Sequence, residues 1–350
     1  QVILVSRAVE AAYGPERVAP IKPQRPEGVG AGEPLQHGGR EARAQPQITH
    51  GIIAPPAQRR DAAQLFQVGT LVKESVTGRF TTNYPPPATP GLLRAQAYPS
   101  RPARIVVGFP AGGATDIMAR LMSDWLTERL GQQFIVDNKP GASGNIGTDF
   151  AARAKPDGYT LLLGSPGTMA INPWLFKKLP YDALKDFVPV SVLVSFPQVL
   201  TTSLKQPFKN FNEFVTATKA VPDKMAYSSA GQGTTSHLVM ELISADAGLK
   251  MIHVGYRGGA LATQAMMAGD VQVTVEGLPS MAPLIRAGNV KPLAVTSNKR
   301  SPQFPDLPLM AEYIPGFDAT AWVLLMAPAG TPPAVVQRAG RDDGQKLGRV

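Results

Sequence analysis

Cysteine is absent from the 350 residues. That excludes disulfide staples, thiolate metal sites and a cysteine nucleophile. Histidine is scarce, limited to His37, His50, His237 and His253. None of these stands at HxxxH or HExxH spacing, so no zinc site is expected. Long apolar runs are missing as well; each falls well short of the ~20 residues that a membrane helix needs. Charge of one sign is weakly expressed. Lys and Arg number 35 against 26 Asp and Glu, a net +9 spread over the whole length. No block of basic residues forms, so nucleic acid is not an expected partner. What is present is apolar material, 43% of the chain, enough for one large or two smaller cores in a soluble protein.

Texture changes sharply near residue 97. Residues 1–97 hold 12 prolines, 10 glycines and nine arginines without pattern. Each proline removes an amide donor and fixes φ, so long helices are forbidden there. This segment reads as an irregular leader, either disordered or the product of a shifted reading frame. Ala95-Gln96-Ala97 matches the A-x-A pattern before a signal-peptide cleavage site, but lacks the apolar stretch that should precede it.

From Tyr98 the chain is orderly. Arg104–Phe109 reads as a buried strand, followed by a glycine loop through Asp116 and a helix. On that helix Ile117, Leu121 and Trp125 form an apolar stripe, with Met122 and Leu126 beside it. Thr115 or Asp116 is placed to cap it, and Gly131 to end it. Strands follow at 134–136 and 159–163, with a helix at 144–154 between them. The grammar repeats later. A strand at 224–228 leads through Ala230-Gly-Gln-Gly-Thr-Thr-Ser236 into a helix at 237–247. Strands at 251–254, 271–275 and 291–296 alternate with helices at 259–268 and 280–287. Alternation of this kind predicts an α/β fold with parallel sheets. Two apolar stretches, 188–202 and 319–327, read as extended crossings between two lobes. They suggest a hinge with a ligand cleft between the lobes. The expected division is 98–197 for lobe 1, 198–319 for lobe 2, and 320–350 as a return to lobe 1.

The strongest chemical signal is the pair of glycine loops, 109–116 and 228–237. Each delivers a helix N-terminus with unpaired amides and partial positive charge. Such an end binds carboxylate or phosphate without a lysine. Two of them, one per lobe, make an anion clamp; the plainer alternative is two tight turns. Nucleotide chemistry fits poorly, because Gly231-Gln-Gly-Thr-Thr lacks a phosphate-loop lysine. Gly164-Ser-Pro-Gly167 is not a nucleophile elbow. Glu276, at the end of the strand 271–275, either faces the cleft or is solvated. Tyr256-Arg257 offers a guanidinium that pairs a carboxylate or lies on the surface. His237 reads as a capping or packing residue before a base, and Trp125, Trp174 and Trp322 as core.

Residues 98–340 resemble the Bug family of periplasmic solute-binding receptors, also called TctC-like, of tripartite tricarboxylate transporters. The resemblance rests on Tyr98-Pro-Ser-Arg-Pro102, Ile105-Val-Val-Gly-Phe-Pro-Ala-Gly-Gly-Ala-Thr-Asp116 and Val136-Asp-Asn-Lys-Pro-Gly-Ala-Ser-Gly-Asn-Ile-Gly147. Further segments are Pro156-Asp-Gly-Tyr159, Leu179-Pro-Tyr-Asp182, Lys185-Asp-Phe187, Tyr227-Ser-Ser-Ala-Gly-Gln-Gly-Thr234, His237-Leu238, Tyr256-Arg-Gly-Gly259 and Ala327-Pro-Ala-Gly-Thr-Pro-Pro333. It implies a two-lobed flytrap that closes on a small organic carboxylate: a di- or tricarboxylate, an acidic amino acid or an aromatic acid. It also implies no cofactor, no catalytic residue, a periplasmic location, and membrane transporter subunits as partners. By similarity, Ala111, Gly112, Gly113 and Thr115 face Gly231, Gly233, Thr234 and Thr235 across one carboxylate. Phe109, Ser165, Thr168, His237, Tyr256, Arg257 and Glu276 shape the rest of the pocket. Family members often carry aspartate where Glu276 stands.

Three competing readings remain at this level. One is an enzyme acting on an anionic substrate, which lacks a placed nucleophile, base or metal set. Another is the effector domain of a transcription regulator, which needs a helix-turn-helix before Tyr98. The last is a non-functional product of a damaged frame. The C-terminal end bears on it: the helix begun at Thr331-Pro-Pro loses its apolar period after Arg338, as a truncation would. Loss of the family's covering helices is expected to leave the chain marginal in stability, because exposed apolar surface costs about 25 cal/mol per Å2.

Overall fold

The computed structural model describes residues 98–340. The expectations for 1–97 and 341–350 lie outside the described residues. Strand β1 (Ala103–Val107) is buried on both faces. Ile105 and Val107 point into one core and Val106 into another, as the two-residue period of a strand dictates. Helix α1 (Ala114–Leu130) follows, and ends on Gly131 in the left-handed conformation, φ 70°. Its buried face is Met118, Ala119, Met122 and Leu126. The expected stripe is therefore turned; Leu121 is 46% exposed, and Ile117 and Trp125 are only half-buried. Residues 118, 122 and 126 succeed one another at i, i+4 spacing over the sheet. Removing Leu126, fully buried, to alanine should cost about 2–5 kcal/mol.

Strands β2 (Phe134–Asn138) and β3 (Thr160–Gly164) flank β1 in parallel. Helix α2 (Asn145–Ala152) connects them. Gly108 allows that helix to sit against β1: a methyl group on Gly108 would lie 2.7 Å from the carbonyl oxygen of Gly144. After the short helix α3 (Asn172–Leu175) comes β4 (Phe187–Ser203), which belongs to both lobes. Its residues 187–197 pair with β9 (Thr320–Pro328), and its residues 198–203 pair with β7 (Val273–Gly277) and β8 (Val290–Val295). Register shifts at 189–191, 192–194 and 200–201 let this strand bend from one sheet into the next.

Lobe 2 carries α4 (Phe211–Ala220), β5 (Ala226–Ser229), α5 (Thr235–Ala247), β6 (Ile252–Gly255), α6 (Gly259–Ala268) and α7 (Leu278–Arg286). β5 pairs in parallel with β6 and β7. Helix α8 (Pro333–Gly340) follows β9. The strand order is β2-β1-β3-β9-β4-β7-β5-β6, with β8 on β4. The sheets are mixed rather than purely parallel. β9 runs antiparallel to both β3 and β4, and β4 antiparallel to β7, because the two crossing strands travel in opposite directions. The result is the α/β flytrap fold, with the crossing strands at the base of a cleft.

Candidate functional site

The first glycine loop is held by a carboxylate. Asp116 Oδ2 accepts from the Gly112 amide at 3.0 Å and from Arg120 Nε at 3.0 Å. Asp116 Oδ1 accepts from Asn138 Nδ2 at 2.9 Å, and that same nitrogen donates to the Phe109 carbonyl at 2.9 Å. Burial works against ionisation of Asp116, but the bonds from Arg120, Gly112 and Asn138 outweigh it and hold its pKa below the usual value. Asp116 thus organises the loop instead of capping α1. The N-cap is Gly113, and no side chain caps the helix. Thr115 is not a cap either; it faces the cavity.

The second loop is pinned from beneath. The Gly233 amide donates to His237 Nδ1 at 3.2 Å. His237 is 5% exposed, and its ring lies 4.0 Å, centroid to centroid, from that of His253. His253 Nε2 bonds the Ser229 hydroxyl at 2.6 Å, and the Gly231 amide donates to that hydroxyl oxygen at 3.2 Å. Burial pushes His237 down to about 3, helped by His253, and pushes His253 down to about 4. Both are neutral near pH 7, as His237, which accepts from the Gly233 amide, must be. The Thr234 hydroxyl, placed to cap α5, donates to the Gly231 carbonyl at 2.6 Å instead.

These loops close over a cavity of about 70 Å3, room for roughly five waters. Into its wall come Gly113, Ala114 and Thr115 from the start of α1, Thr234, Thr235 and Ser236 from the start of α5, Gly259 from α6 and Gly277 before α7. None of these four helices has a side-chain cap at its N-terminus. Helix α4, whose residues are not in the wall, shows the contrast: the Glu213 amide donates to Asn210 Oδ1 at 2.9 Å, and Glu213 Oε2 accepts from the Lys209 amide at 2.8 Å. Helices α2 and α3 also start without a side-chain cap although they lie outside the wall, so it is the convergence of four starts, not the missing caps, that sets the cavity apart. The remaining wall is largely apolar, with Phe109, Pro166, Phe196, Ala321 and Trp322.

Of the residues expected in the pocket, Phe109, Gly113, Thr115, Ser165, Thr234, Thr235 and Glu276 line it. The others do not. Ala111 and Gly112 are exposed, Gly112 with its α-carbon turned toward Ala260 of α6, and neither is in the wall. Gly231, Gly233 and His237 form the supporting layer just described. Tyr256 stands behind the second loop and donates its amide to the Ser229 carbonyl at 2.9 Å; Arg257 is exposed. Thr168 is buried beside Ser165, and its carbonyl accepts from the Tyr181 hydroxyl at 2.8 Å. Sequence reasoning missed Phe196, Gln198, Ala321 and Trp322, all on the crossing strands. Gln198 carried a visible signal, a lone amide within an apolar run. It is 4% exposed, and its Oε1 has no partner among the described residues.

The lobes touch around the cavity. The Ser143 hydroxyl of lobe 1 donates to the Gln232 carbonyl of lobe 2 at 2.6 Å. A methyl group on Gly277 would meet Ala114 Cβ at 2.7 Å. The two lobes are therefore in direct contact beside the cavity. Among the described residues no group of three or more His, Asp or Glu is placed to hold a metal. Nor is any helix there long and apolar enough to cross a membrane.

Comparison with known proteins agrees with this fold. A family model described as "Tripartite tricarboxylate transporter family receptor" matches residues 118–342. A solved R. palustris protein with adipate is 36% identical, at a TM-score of 0.68 over 69% of this chain and 81% of that one. MatC from Rhodopseudomonas palustris with bound malate is 34% identical, at 0.66 over 69% and 83%. The periplasmic binding protein BugD is 35% identical, at 0.64 over 69% and 81%. The family so described is one of receptors, not enzymes, and this chain belongs to it: it is a member of the tripartite tricarboxylate transporter receptor family.

Proposed function

We propose that this chain is a periplasmic receptor that closes on a small organic carboxylate and presents it to the membrane subunits of a tripartite tricarboxylate transporter. The observation that carries the reading is the convergence of helix starts from two lobes on one cavity. α1 contributes from lobe 1, and α5, α6 and α7 from lobe 2. Free amides and aligned dipoles attract an anion there. The apolar wall of Phe109, Phe196 and Trp322 suits the carbon skeleton of an acid better than a hydrated inorganic ion. Adipate and malate in the solved relatives support the same class of ligand.

In this reading Gly113, Thr115, Thr234 and Thr235 hold the carboxylate. Glu276 lies beside that carboxylate, Phe109 and Ser165 contact the remainder, and Gln198 and Trp322 join them. The lobes divide at 197/198 and 319/320, where β4 changes sheets and β9 returns. Closure is a hinge motion, favoured by ligand contacts that exist only in the closed form.

Thermal-shift measurement of the full chain against mono-, di- and tricarboxylates tests the reading. Binding adds about 2.7 kcal/mol at a hundredfold excess over Kd. A raised melting temperature with at least one acid is expected; none with any acid overturns the proposal.

A further inference from the structure

Glu276 is the one carboxyl in the cavity wall. It lies within β7, paired in register with Val199 of β4, and is 6% exposed. Ser236 and the Gly277 amide lie close enough to favour its charged form, but less than burial disfavours it. Its Oε1 has no partner among the described residues. The carboxyl also covers the start of α6: a methyl group on Gly259 would lie 2.4 Å from Oε2.

No cation among the described residues pairs with it. β4 and α6 carry no charged residue. β5 brings Tyr227, whose hydroxyl donates to Glu241 of α5. The other titratable group near the start of α5 is His237, turned to the Gly233 amide. From α1 comes Asp116, paired with Arg120. α7 has its basic residue, Arg286, in its last turn, and Arg257 before α6 is exposed. A carboxylate ligand entering this space meets a second carboxyl with no neutralising charge between them. Two carboxylates sharing one buried site resist ionising together.

We propose that Glu276 receives the ligand as a neutral acid, so that closing on a carboxylate takes one proton into the cavity with it. This rests on the receptor reading above and adds the ionic form of the complex. The proton sits between the Glu276 carboxyl and the ligand carboxylate, donated by one oxygen to the other. No bond other than O–H is made or broken. Burial supports the same assignment: it pushes Glu276 up to about 8, while Ser236 and the Gly277 amide only moderate the rise.

The test uses the full chain with acetate, malate, adipate and glutamate as probes, titrated calorimetrically at pH 6 and pH 9. For the acid that binds best, affinity should fall at least about tenfold between those values, since an acid with a pKa near 8 loses occupancy tenfold per unit above it. Glu276→Gln should remove that dependence. Should the variant not fold, two buffers of different ionisation enthalpy give the answer on the wild type, with close to one proton taken up per ligand at pH 9. Equal affinity at both pH values, zero uptake, or an unchanged dependence in Glu276→Gln overturns the proposal and leaves the receptor reading standing. Binding confined to glutamate and stronger at pH 9 overturns it too, because Glu276 would then be an ionised acceptor for the ammonium group. No binding of any probe at either pH overturns both.

Discussion

The Gly233 amide donates to Nδ1 of His237, four residues further along the same loop-helix junction. The bond requires a neutral ring, and burial beside His253 depresses the His237 pKa to about 3. In the unfolded chain the ring titrates near 6.5. The folded state therefore binds fewer protons than the unfolded state between those values, and stability present above pH 6.5 is lost as pH falls. Each pH unit in that window removes up to about 1.4 kcal/mol through this residue. Thermal melts from pH 7 to pH 4 should show the decline, and His237→Asn should reduce it to the part that His253, held down to about 4, contributes. A variant with the wild-type slope would assign the effect elsewhere.

Gly277 sits where the lobes meet. An added methyl group would lie 2.7 Å from Ala114 Cβ and 2.8 Å from Phe196. Its φ of −59° is open to any residue, so alanine brings no backbone strain. Gly277→Ala is expected to lose the ligand-induced shift, because the wedge opposes approach of the lobes, at a stability cost of about 1–3 kcal/mol from overpacking against Phe196. A full ligand response would show that the closed geometry is not needed for binding.

Ser143 closes the rim from lobe 1. Its hydroxyl bonds the Gln232 carbonyl at 2.6 Å, and its φ of 56° is one that glycine adopts freely. Ser143→Gly removes the contact and keeps the backbone. One hydrogen bond of about 0.5–1.5 kcal/mol present only in the closed form should weaken binding roughly two- to tenfold. Stopped-flow release is the direct measurement, with the loss expected in the off-rate.

Gly259 lies beneath the Glu276 carboxyl. A methyl group there would sit 2.4 Å from Oε2 and 2.8 Å from Cδ. Gly259→Ala should displace that carboxyl and cost about 1–3 kcal/mol of stability by overpacking. Ligand affinity should drop with it. Melting and calorimetry on one sample separate the two effects.

Much of this molecule is legible in its residues. Gly112-Gly113 and Gly231-Gln-Gly233 announce two helix starts, and β4 and β9 coincide closely with the two apolar crossings. The crossing strands also hid the most. Strand β4 is apolar on both faces around Gln198, so its pattern does not say that Phe196 reaches the cavity while Val199 is core; the change of partner from β9 to β7 and β8 at 197/198 goes with it. Trp322 reads as core because an aromatic in an apolar run usually is, yet it is both buried and in the cavity wall. Thr115 and Asp116 have the chemistry of caps. Only the fold shows that Asp116 is already committed to Gly112, Arg120 and Asn138.

The uncapped starts of α1, α5, α6 and α7 bear on handling as well as recognition. A cleft that withholds internal partners from so many amides is a general trap for small oxyanions. Citrate, phosphate or acetate in a purification buffer would compete for the same N–H groups and be carried along with the protein. Apparent affinities will then report the history of the sample, and extensive dialysis against a non-coordinating buffer becomes part of any meaningful measurement.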